Sequence, residues 1–206
     1  LKNRINNIVG HAVVMDNYIF ELENCVSHEF CHGVIEKYEN DDRKEPGRMT
    51  KGVDKNIKVS TDLPANQYEE WKPVCHHIGA QIVSGLTLYI EHLSKNGINK
   101  CNIINSIFNN AHIGYPNIQR TSKGGFYDWH VDMDRQGNRL MTYILYLNDV
   151  EEGYGGTTDF SCGKSILPKE GKLLLFPSTW AHIHTGKKLE KGFKYIATGY
   201  ISKQHP

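Results

Sequence analysis

The sequence predicts an α+β domain in which N-terminal helices support a C-terminal β-rich half, either a sandwich or a jelly roll (double-stranded β-helix). The chain has 206 residues, and because a typical domain contains roughly 150, we expect a single domain. Helical periodicity dominates residues 1–102, which we expect to form mainly helical support. From residue 103 to residue 206, short β-rich runs alternate with Gly, Asn, Asp and Pro, as in a jelly roll.

The beginning of the chain predicts one strand and one short helix. Residues 18–23 have the composition of an initial strand. Ser27 can cap a helix in which Phe30, Val34 and Tyr38 recur at helical spacing.

Residues 40–61 are polar, contain Pro46 and two glycines, and show no periodicity. The simpler interpretation is a solvated loop. The alternative is a mobile lid over a functional site, because long loops in compact domains often serve function.

The longest helical pattern is predicted to begin at Asp62-Leu63-Pro64 and to end at Asn96-Gly97. Apolar residues recur three or four apart between residues 74 and 93. The adjacent His76 and His77 lie within it. Neighbouring helical residues point about 100° apart, so we interpret these two histidines as structural.

The second half predicts short strands separated by turn residues. They span residues 113–121, 126–132, 139–148, 157–160, 172–176, 182–186 and 193–202.

Composition excludes several classes of function. The chain carries 24 Lys and Arg against 23 Asp and Glu, so it lacks the basic excess of a nucleic-acid-binding protein. No apolar run approaches the roughly 20 residues that cross a bilayer. The five cysteines are scattered, which favours a reducing compartment. We therefore expect a cytoplasmic protein with no nucleic-acid or membrane partner.

Two histidine-containing motifs predict a metal site. His130 and Asp132 are two residues apart, and side chains at that spacing share one face of a strand. His182 and His184 follow about fifty residues later in another β-patterned stretch, and either can supply a second imidazole. Two imidazoles and one carboxylate form the facial triad of non-haem Fe(II) oxygenases.

Lys194 lies ten residues after His184 and inside the apolar run 193–201. A lysine buried there requires an anion. The alternative is a surface lysine that extends its ammonium to solvent. Together with the histidine motifs, the position favours an anchor for the far carboxylate of a metal-chelating dicarboxylate.

From Ile113 to Ser202 the sequence resembles the Fe(II)- and 2-oxoglutarate-dependent dioxygenases, and in particular the prolyl 4-hydroxylase-like branch. Five features occur in the order found in that family. They are Gly-Phe-Tyr-Asp-Trp-His-Val-Asp at 125–132, Arg-Leu-Met-Thr-Tyr-Ile-Leu-Tyr-Leu-Asn at 139–148, Gly-Gly-Thr-Thr-Asp-Phe at 155–160, Leu-Phe-Pro at 175–177, and His184 followed by Gly192, Lys194 and Tyr195.

The resemblance implies a set of metal and co-substrate residues. His130 and Asp132 match the first two iron ligands. His184 matches the distal ligand, because the ten-residue step to Lys194 fits the family; His182 is the alternative. Lys194 matches the residue that pairs with the far carboxylate of 2-oxoglutarate.

Three further positions concern the co-substrate. The resemblance implies that Tyr146 and Thr158 form hydrogen bonds to the same carboxylate. Thr121 departs from the family, because many relatives carry a co-substrate-binding tyrosine there. Its shorter hydroxyl would reach the co-substrate through water.

Aromatic residues and one arginine are candidates for substrate binding. Tyr127, Arg139 and Tyr200 match positions that line the peptide groove of relatives, and Trp180 is a further candidate. Trp129 is also a candidate for substrate binding. The alternative for Trp129 and Trp180 is core packing, and for Arg139 a cross-strand surface pair.

The resemblance implies hydroxylation of an unactivated C–H, most simply at a prolyl residue of a peptide or protein, including a proline-rich one. The cofactors would be Fe(II), 2-oxoglutarate and O₂, with ascorbate as a candidate reductant. Alternatives are the same chemistry on a free amino acid, small metabolite or other side chain, a non-catalytic β-helix module, and a zinc hydrolase. The hydrolase lacks an evident general base and leaves Lys194 without a role.

Overall fold

The computed structural model describes residues 13–49, 52–95 and 102–203. Within these ranges the chain forms the helices α1 (His28–Glu39), α2 (Lys72–Lys95) and α3 (Ile103–Phe108). The first part of the chain also contributes short strands, which are β1 (Val13–Asp16), β2 (Ile19–Leu22), β3 (Glu45–Pro46), β4 (Lys58–Val59) and β5 (Thr61–Leu63). The remaining strands are β6 (Ala111–Ile113), β7 (Asn117–Ser122), β8 (Phe126–His130), β9 (Arg139–Tyr146), β10 (Thr158–Phe160), β11 (Ser165–Ile166), β12 (Leu173–Pro177), β13 (His184–Gly186) and β14 (Phe193–Lys203).

The strands form two antiparallel sheets. In the larger sheet the order is β1-β2-β12-β9-β14-β7-β5-β3, and β6 also pairs with β14. In the smaller sheet the order is β11-β10-β13-β8-β4. Antiparallel sheets that alternate successive strands in this way form a jelly roll, so the predicted α+β class and jelly-roll core are confirmed.

Alternation along β9 divides the core into two layers. Tyr143 and Leu145 belong to a buried cluster that includes the apolar face of α2. Ile144 and Tyr146 belong to a second cluster that includes Phe160 of the smaller sheet. Successive strand side chains point to opposite faces, so the larger sheet packs on helices on one side and on the smaller sheet on the other.

The initial strand and the first helix lie where the sequence predicts them. Ile19–Leu22 forms β2. Ser27 precedes α1, and its hydroxyl accepts a hydrogen bond from the Phe30 amide at 3.2 Å. Val34 and Tyr38 are buried on the inner face of that helix.

The long helix begins later than the sequence predicts. Asp62 and Leu63 lie in strand β5, and two 3-10 turns occupy Ala65–Gln67 and Glu69–Trp71 before α2 begins at Lys72. The predicted start was wrong because Pro73, and not Pro64, occupies the first turn, where a missing amide hydrogen costs nothing. The predicted stop at residues 96–97 lies outside the described residues.

Residues 40–61 are not a simple solvated loop. β4 pairs with β8 of the smaller sheet, and β5 pairs with β7 of the larger one, so the chain crosses between the sheets at Ser60. A salt bridge of 2.8 Å joins the buried side chains of Lys58 and Asp62. The polar composition therefore reflects a buried ionic contact that local sequence cannot reveal.

The second half follows most of the predicted strands but differs from the prediction in several places. Strand β11 (Ser165–Ile166) was not predicted, β8 ends at His130 and not at residue 132, and residue 182 lies in a 3-10 turn before β13. Residues 103–108 form helix α3, although we expected the β-rich part to begin at residue 103. Ile104 and Phe108 pack against the core at helical spacing. The predicted strand 113–121 is divided at Pro116, which lacks an amide hydrogen for the sheet ladder.

Helix α2 packs closely against β12 at Gly85. A Cβ atom at this position would lie 2.5 Å from Leu173 Cδ2, so the absence of a side chain permits the approach. In the described part of the chain, no helix has the length and apolar character needed to cross a membrane. The cytoplasmic location stays a prediction.

Candidate metal centre

Two neighbouring strands of the smaller sheet bring a pair of histidines together. His130 ends β8 and is directly opposite His184, the first residue of β13. The centres of their imidazole rings are 4.2 Å apart. His130 and His184, which are more than fifty residues apart in sequence, are therefore in contact.

Asp132 completes this cluster two residues after His130. Its Oδ1 lies 3.7 Å from His130 Nε2, and its Oδ2 lies 3.5 Å from His184 Nε2. One ligand atom from each residue lies within 4.8 Å of the others. His182 is outside the cluster.

Backbone contacts fix the tautomer of both imidazoles. His130 Nδ1 lies 2.7 Å from the Asp128 carbonyl oxygen, and His184 Nδ1 lies 3.0 Å from the His182 carbonyl oxygen. A carbonyl can only accept, so each Nδ1 carries the hydrogen and each Nε2 presents a lone pair to the cluster. Burial is the main cause that lowers the pKa of both histidines, which keeps the lone pairs available at neutral pH.

The carboxylate of Asp132 is held by hydroxyl groups from the larger sheet. Thr142 Oγ1 donates to Asp132 Oδ2 at 2.7 Å, and Thr142 is itself 2.8 Å from Ser178 Oγ. The Tyr200 hydroxyl donates to Asp132 Oδ1 at 3.3 Å. These contacts orient the carboxylate toward the two imidazoles.

The donor set fits an Fe(II) ion. Two imidazole nitrogens and one carboxylate oxygen on one side of a site are the ligands that non-haem Fe(II) centres use, with the other positions open. Beside the cluster lies a cavity of about 890 Å³ lined by all three residues. The cavity offers room for both a chelating co-substrate and a substrate.

Lys194 projects from β14 into the same cavity. Its side chain is buried at 6% exposure, and its Nζ donates to the Gly156 carbonyl oxygen at 2.7 Å. No ion pair joins Lys194 to an acidic residue in the part of the chain that the structure describes. Burial lowers the pKa of Lys194 to about 8, with Asp159 partly opposing the shift. An anion bound here would restore the charged form.

The three other predicted co-substrate residues surround Lys194 in different ways. Thr121 lies opposite Lys194 across the β7–β14 ladder, and both Thr121 and Thr158 line the cavity. Tyr146 is fully buried and is not in the cavity wall. Its hydroxyl donates to Thr158 Oγ1 at 2.8 Å, so it contacts the cavity through that threonine.

The sequence of this region matches a known family model. Residues 116–202 match the model described as the 2OG-Fe(II) oxygenase superfamily, and this segment contains the three clustered ligands and Lys194. The match covers 87 of the 206 residues, which is somewhat less than half of the chain. Similarity to this family implies Fe(II), 2-oxoglutarate and O₂ at this site, and the donor set independently fits the Fe(II).

A curated relative covers the same part of the chain. A PKHD-type hydroxylase from Synechococcus sp. (strain CC9605) is 30% identical over 90 residues. The aligned part is 41% of this chain and 40% of that protein, so the similarity spans less than half of either one.

Solved structures with the same fold cover nearly the whole chain. A prolyl-4-hydroxylase from Pseudomonas putida has a TM-score of 0.65 at 15% identity, covering 98% of this chain and 97% of its own. A Trichoplax adhaerens prolyl hydroxylase, solved with a hypoxia inducible factor peptide fragment, has a TM-score of 0.68 at 17% identity, with 98% and 86% covered. A viral collagen prolyl hydroxylase from Paramecium Bursaria Chlorella virus-1 has a TM-score of 0.60 at 21% identity, with 92% and 97% covered. At these identities the likeness is one of fold.

Three of the predicted substrate residues lie at the mouth of the metal cluster. The Tyr127 ring stacks on the His130 ring with centres 3.6 Å apart. The Arg139 guanidinium lies 3.6 Å from the centre of the Tyr200 ring, and its Nη1 donates to the Asp132 carbonyl oxygen at 3.1 Å. All three line the cavity.

The two tryptophans and His182 lie elsewhere. Trp180 is 73% exposed and Trp129 is 53% exposed, and neither is in the cavity wall. His182 Nε2 lies 2.9 Å from the Asn17 carbonyl oxygen, so this imidazole ties the 3-10 turn Trp180–His182 to the start of β2. It does not face the cluster.

Sequence reasoning missed Thr142 and Ser178, which hold the carboxylate of Asp132. A signal for Thr142 was present. It lies on the same face of β9 as Ile144 and Tyr146, and a hydroxyl at such a buried position requires a hydrogen-bond partner. No comparable local signal marks Ser178, because its role depends on the pairing of β12 with β9.

Proposed function

We propose that this chain is an Fe(II)- and 2-oxoglutarate-dependent dioxygenase that hydroxylates an unactivated C–H bond, and that its substrate is a prolyl residue in a peptide or protein. One observation carries the proposal. The His130–Asp132–His184 cluster and the buried ammonium of Lys194 line one cavity. A metal site alone would not require a buried cation, and a buried cation alone would not require a metal site.

The side chains around the cluster have distinct roles in this proposal. His130 and His184 hold the metal through Nε2, and Asp132 holds it through the carboxylate that Thr142 and Tyr200 orient. Lys194 pairs with the far carboxylate of 2-oxoglutarate. When bound, Fe(II), 2-oxoglutarate and O₂ supply the oxidation that converts C–H to C–OH with release of succinate and CO₂.

The pocket walls also exclude water from the co-substrate end. Apolar Ile144 and Ile196 line the cavity near Lys194, and both are buried. A dry environment strengthens the attraction between an ammonium and a carboxylate. Tyr127 stacks on His130 and thereby limits rotation of that ligand.

The names of similar proteins and the mouth of the cavity support a prolyl substrate. The Synechococcus relative is named a hydroxylase, and the three similar structures are named prolyl hydroxylases. One of these was solved with a peptide. Tyr127, Arg139 and Tyr200 form a mouth with two aromatic faces and a guanidinium, which suits an extended peptide with a proline ring.

The test is an oxygenation assay on a panel of substrates. The chain is supplied with Fe(II), 2-oxoglutarate, O₂ and ascorbate, together with a proline-rich peptide, the same peptide with alanine at each proline, or free amino acids. We expect succinate release and a gain of one oxygen on the proline-containing peptide. If only a free amino acid gained oxygen, the prolyl substrate would be wrong, but the proposed oxidative chemistry would stand.

Variants of the ligands test the chemistry itself. His130→Ala and Asp132→Ala should abolish succinate release, because each removes one of three metal ligands. His76→Ala is the matched control, since His76 is exposed on α2 and outside the cluster. Undiminished succinate release from either ligand variant would refute the proposed metal centre.

A further inference from the structure

A second cluster of metal-ligating side chains lies on the outer surface, away from the oxygenase cavity. His28 and His32 project from α1, and Glu170 lies in the connection between β11 and β12. One ligand atom from each residue lies within 4.8 Å of the others. The three residues are separated by up to 142 positions in sequence, so the tertiary fold creates the cluster.

The two histidines share one face of the helix. Residues four apart on a helix are neighbours, and the centres of the His28 and His32 rings are 4.0 Å apart. Both are exposed, with 66% and 63% of their side-chain area accessible, whereas Glu170 is 23% exposed. The carboxylate therefore forms the floor of the cluster, and the imidazoles form its sides.

The two separations between ligand atoms bracket the spacing expected around a tetrahedral ion. His28 Nδ1 lies 2.6 Å from Glu170 Oε1, and His32 Nε2 lies 3.5 Å from Glu170 Oε2. With metal–ligand bonds of roughly 2.0–2.2 Å, two ligands of a tetrahedral Zn²⁺ ion are about 3.3 Å apart. The 3.5 Å separation is close to that value, whereas the 2.6 Å separation is a hydrogen-bond distance, so the His28 side chain would rotate away from Glu170 to admit the ion.

The imidazole of His28 can present either ring nitrogen to a cation. Both imidazoles are exposed, so His28 can transfer its hydrogen from Nδ1 to the solvent-facing Nε2 without leaving a buried group unpaired. In the described residues, neither a lysine nor an arginine forms an ion pair with Glu170. A divalent cation would therefore meet a carboxylate that no other cation neutralises.

We propose that His28, His32 and Glu170 form a second metal site, which binds a borderline divalent cation such as Zn²⁺ with water as the remaining ligand. Two imidazoles and one carboxylate suit Zn²⁺ better than Ca²⁺ or Mg²⁺, which prefer oxygen ligands. The bound cation would link α1 to the connection that precedes β12. It would thereby stabilise the packing of the helical layer on the larger sheet.

The fold already holds the two parts of the site in place. The Cys25 amide, just before α1, donates to the Gly171 carbonyl oxygen at 2.7 Å. The Glu170 amide donates to Asp149 Oδ1 at 2.8 Å. The backbone of Glu170 is thus fixed relative to the start of α1, and a cation would require rotation of side chains only.

Zinc titration of the full chain tests the proposal, with binding measured by calorimetry. The wild-type protein should take up about two equivalents of Zn²⁺, one at each cluster. The His28→Ala/His32→Ala double variant should take up about one, and so should a His130→Ala/Asp132→Ala variant. A variant with all four substitutions should retain neither site. The matched control is His76→Ala/His77→Ala, which also removes two exposed histidines and should keep both equivalents.

A spectroscopic measurement keeps the test independent of the ligand variants at the oxygenase cavity. In wild-type protein, Co²⁺ should shift or broaden the imidazole proton resonances of His28 and His32. Glu170→Gln should lower the Co²⁺ affinity measured from these resonances at least about tenfold. Unchanged Zn²⁺ stoichiometry and affinity in the His28→Ala/His32→Ala variant would overturn the proposal. So would His28 and His32 resonances that do not respond to Co²⁺.

Discussion

At the scale of single residues, Lys194 differs from the other buried lysines of this protein in its surroundings. Lys58 pairs with Asp62, and Lys172 pairs with Glu21 and Glu23. Within the described residues, Lys194 instead donates its side-chain hydrogen bond to the carbonyl oxygen of Gly156 and forms no ion pair. An unpaired ammonium in an apolar site is costly, and its lowered pKa reflects that cost.

The binding of 2-oxoglutarate should therefore depend on pH. The pKa of Lys194 is about 8 in the free protein, and only the protonated amine attracts a carboxylate. The KM for 2-oxoglutarate should be nearly constant well below pH 8. Above pH 8 it should increase with pH, and the increase should approach about tenfold for each pH unit. Initial-rate measurements of succinate release between pH 6.5 and 9.5 would detect this rise.

Two substitutions at residue 194 provide the control. Arginine stays protonated across this range, so Lys194→Arg should remove the pH dependence of KM even where the altered geometry raises KM itself. Lys194→Ala should raise KM at every pH and leave iron affinity nearly intact. A pH dependence that is the same in wild type and Lys194→Arg would assign the titration to another group.

Thr142 should affect metal affinity without touching the metal. Thr142→Val keeps the shape of the side chain but removes the hydroxyl that donates to Asp132 at 2.7 Å. Loss of such a supporting hydrogen bond typically weakens metal binding by about 10–100-fold. Anaerobic titration with Fe(II) would measure this loss directly.

Thr198→Val is the matched control for that substitution. Thr198 also lines the cavity, but its hydroxyl donates to the Tyr143 carbonyl oxygen at 2.9 Å and not to the cluster. It should keep the wild-type Fe(II) affinity. Equal losses in both variants would indicate a general disturbance of the larger sheet.

At the scale of elements, strands β4 and β5 connect the two sheets beside the cavity. Lys58 pairs with Tyr127 in the smaller sheet, and Thr61 pairs with Arg120 in the larger sheet. Asp62 accepts hydrogen bonds from Lys58, Ser60, Asn117 and Gln119. The segment is therefore anchored at its C-terminal end, and a lid motion would have to occur before residue 58.

Helix α2 offers an internal comparison of two glycines. A Cβ at Gly85 would lie 2.5 Å from Leu173 Cδ2, whereas one at Gly79 would have nothing within 4 Å. Gly85→Ala should lower the free energy of unfolding by about 1–3 kcal/mol through overpacking. Gly79→Ala should raise it by about 0.5–1 kcal/mol, because alanine restricts the unfolded chain and favours helix.

Urea unfolding monitored by circular dichroism would measure both effects. The two variants have identical chemistry on one helix, so the difference isolates the contact with β12. If Gly85→Ala were as stable as Gly79→Ala, the close approach of helix and sheet would not be rigid.

At the scale of the whole molecule, the site is shared between the two sheets. His130 and His184 belong to the smaller sheet and Asp132 follows its strand β8, while Lys194, Thr142 and Tyr200 belong to the larger sheet. Metal and co-substrate together would therefore bridge the sheets. A ligand that binds only the folded state stabilises it, by about 2.7 kcal/mol at 100 times its dissociation constant.

Thermal unfolding without O₂ should report this bridging. Fe(II) should raise the unfolding temperature of the wild-type protein, and 2-oxoglutarate should add a further increase. In Lys194→Ala the increase from Fe(II) should remain, while the increase from the same concentration of 2-oxoglutarate should be largely lost. If 2-oxoglutarate raised the unfolding temperature of Lys194→Ala as much as that of the wild type, Lys194 would not bind the far carboxylate of 2-oxoglutarate.

Local patterns in the sequence were sufficient for most of the individual elements. The cap at Ser27, the alternation along β9 and the turn residues between strands depend on neighbours a few positions apart. The spacing of His130 and Asp132 is equally local, since it needs only one extended segment. The predicted start of α2 failed because Pro64 and Pro73 give the same local signal, and only packing distinguishes them.

By itself, the sequence therefore determined the order of helices and strands, the jelly-roll class and the residues capable of binding a metal. The tertiary structure decided which of these residues meet: His184 and not His182 opposite His130, Thr142 beneath Asp132, and Lys58 against Asp62. The physical reason is that strand pairing and burial join residues far apart in sequence, and neither periodicity nor residue type records the register in which distant strands align.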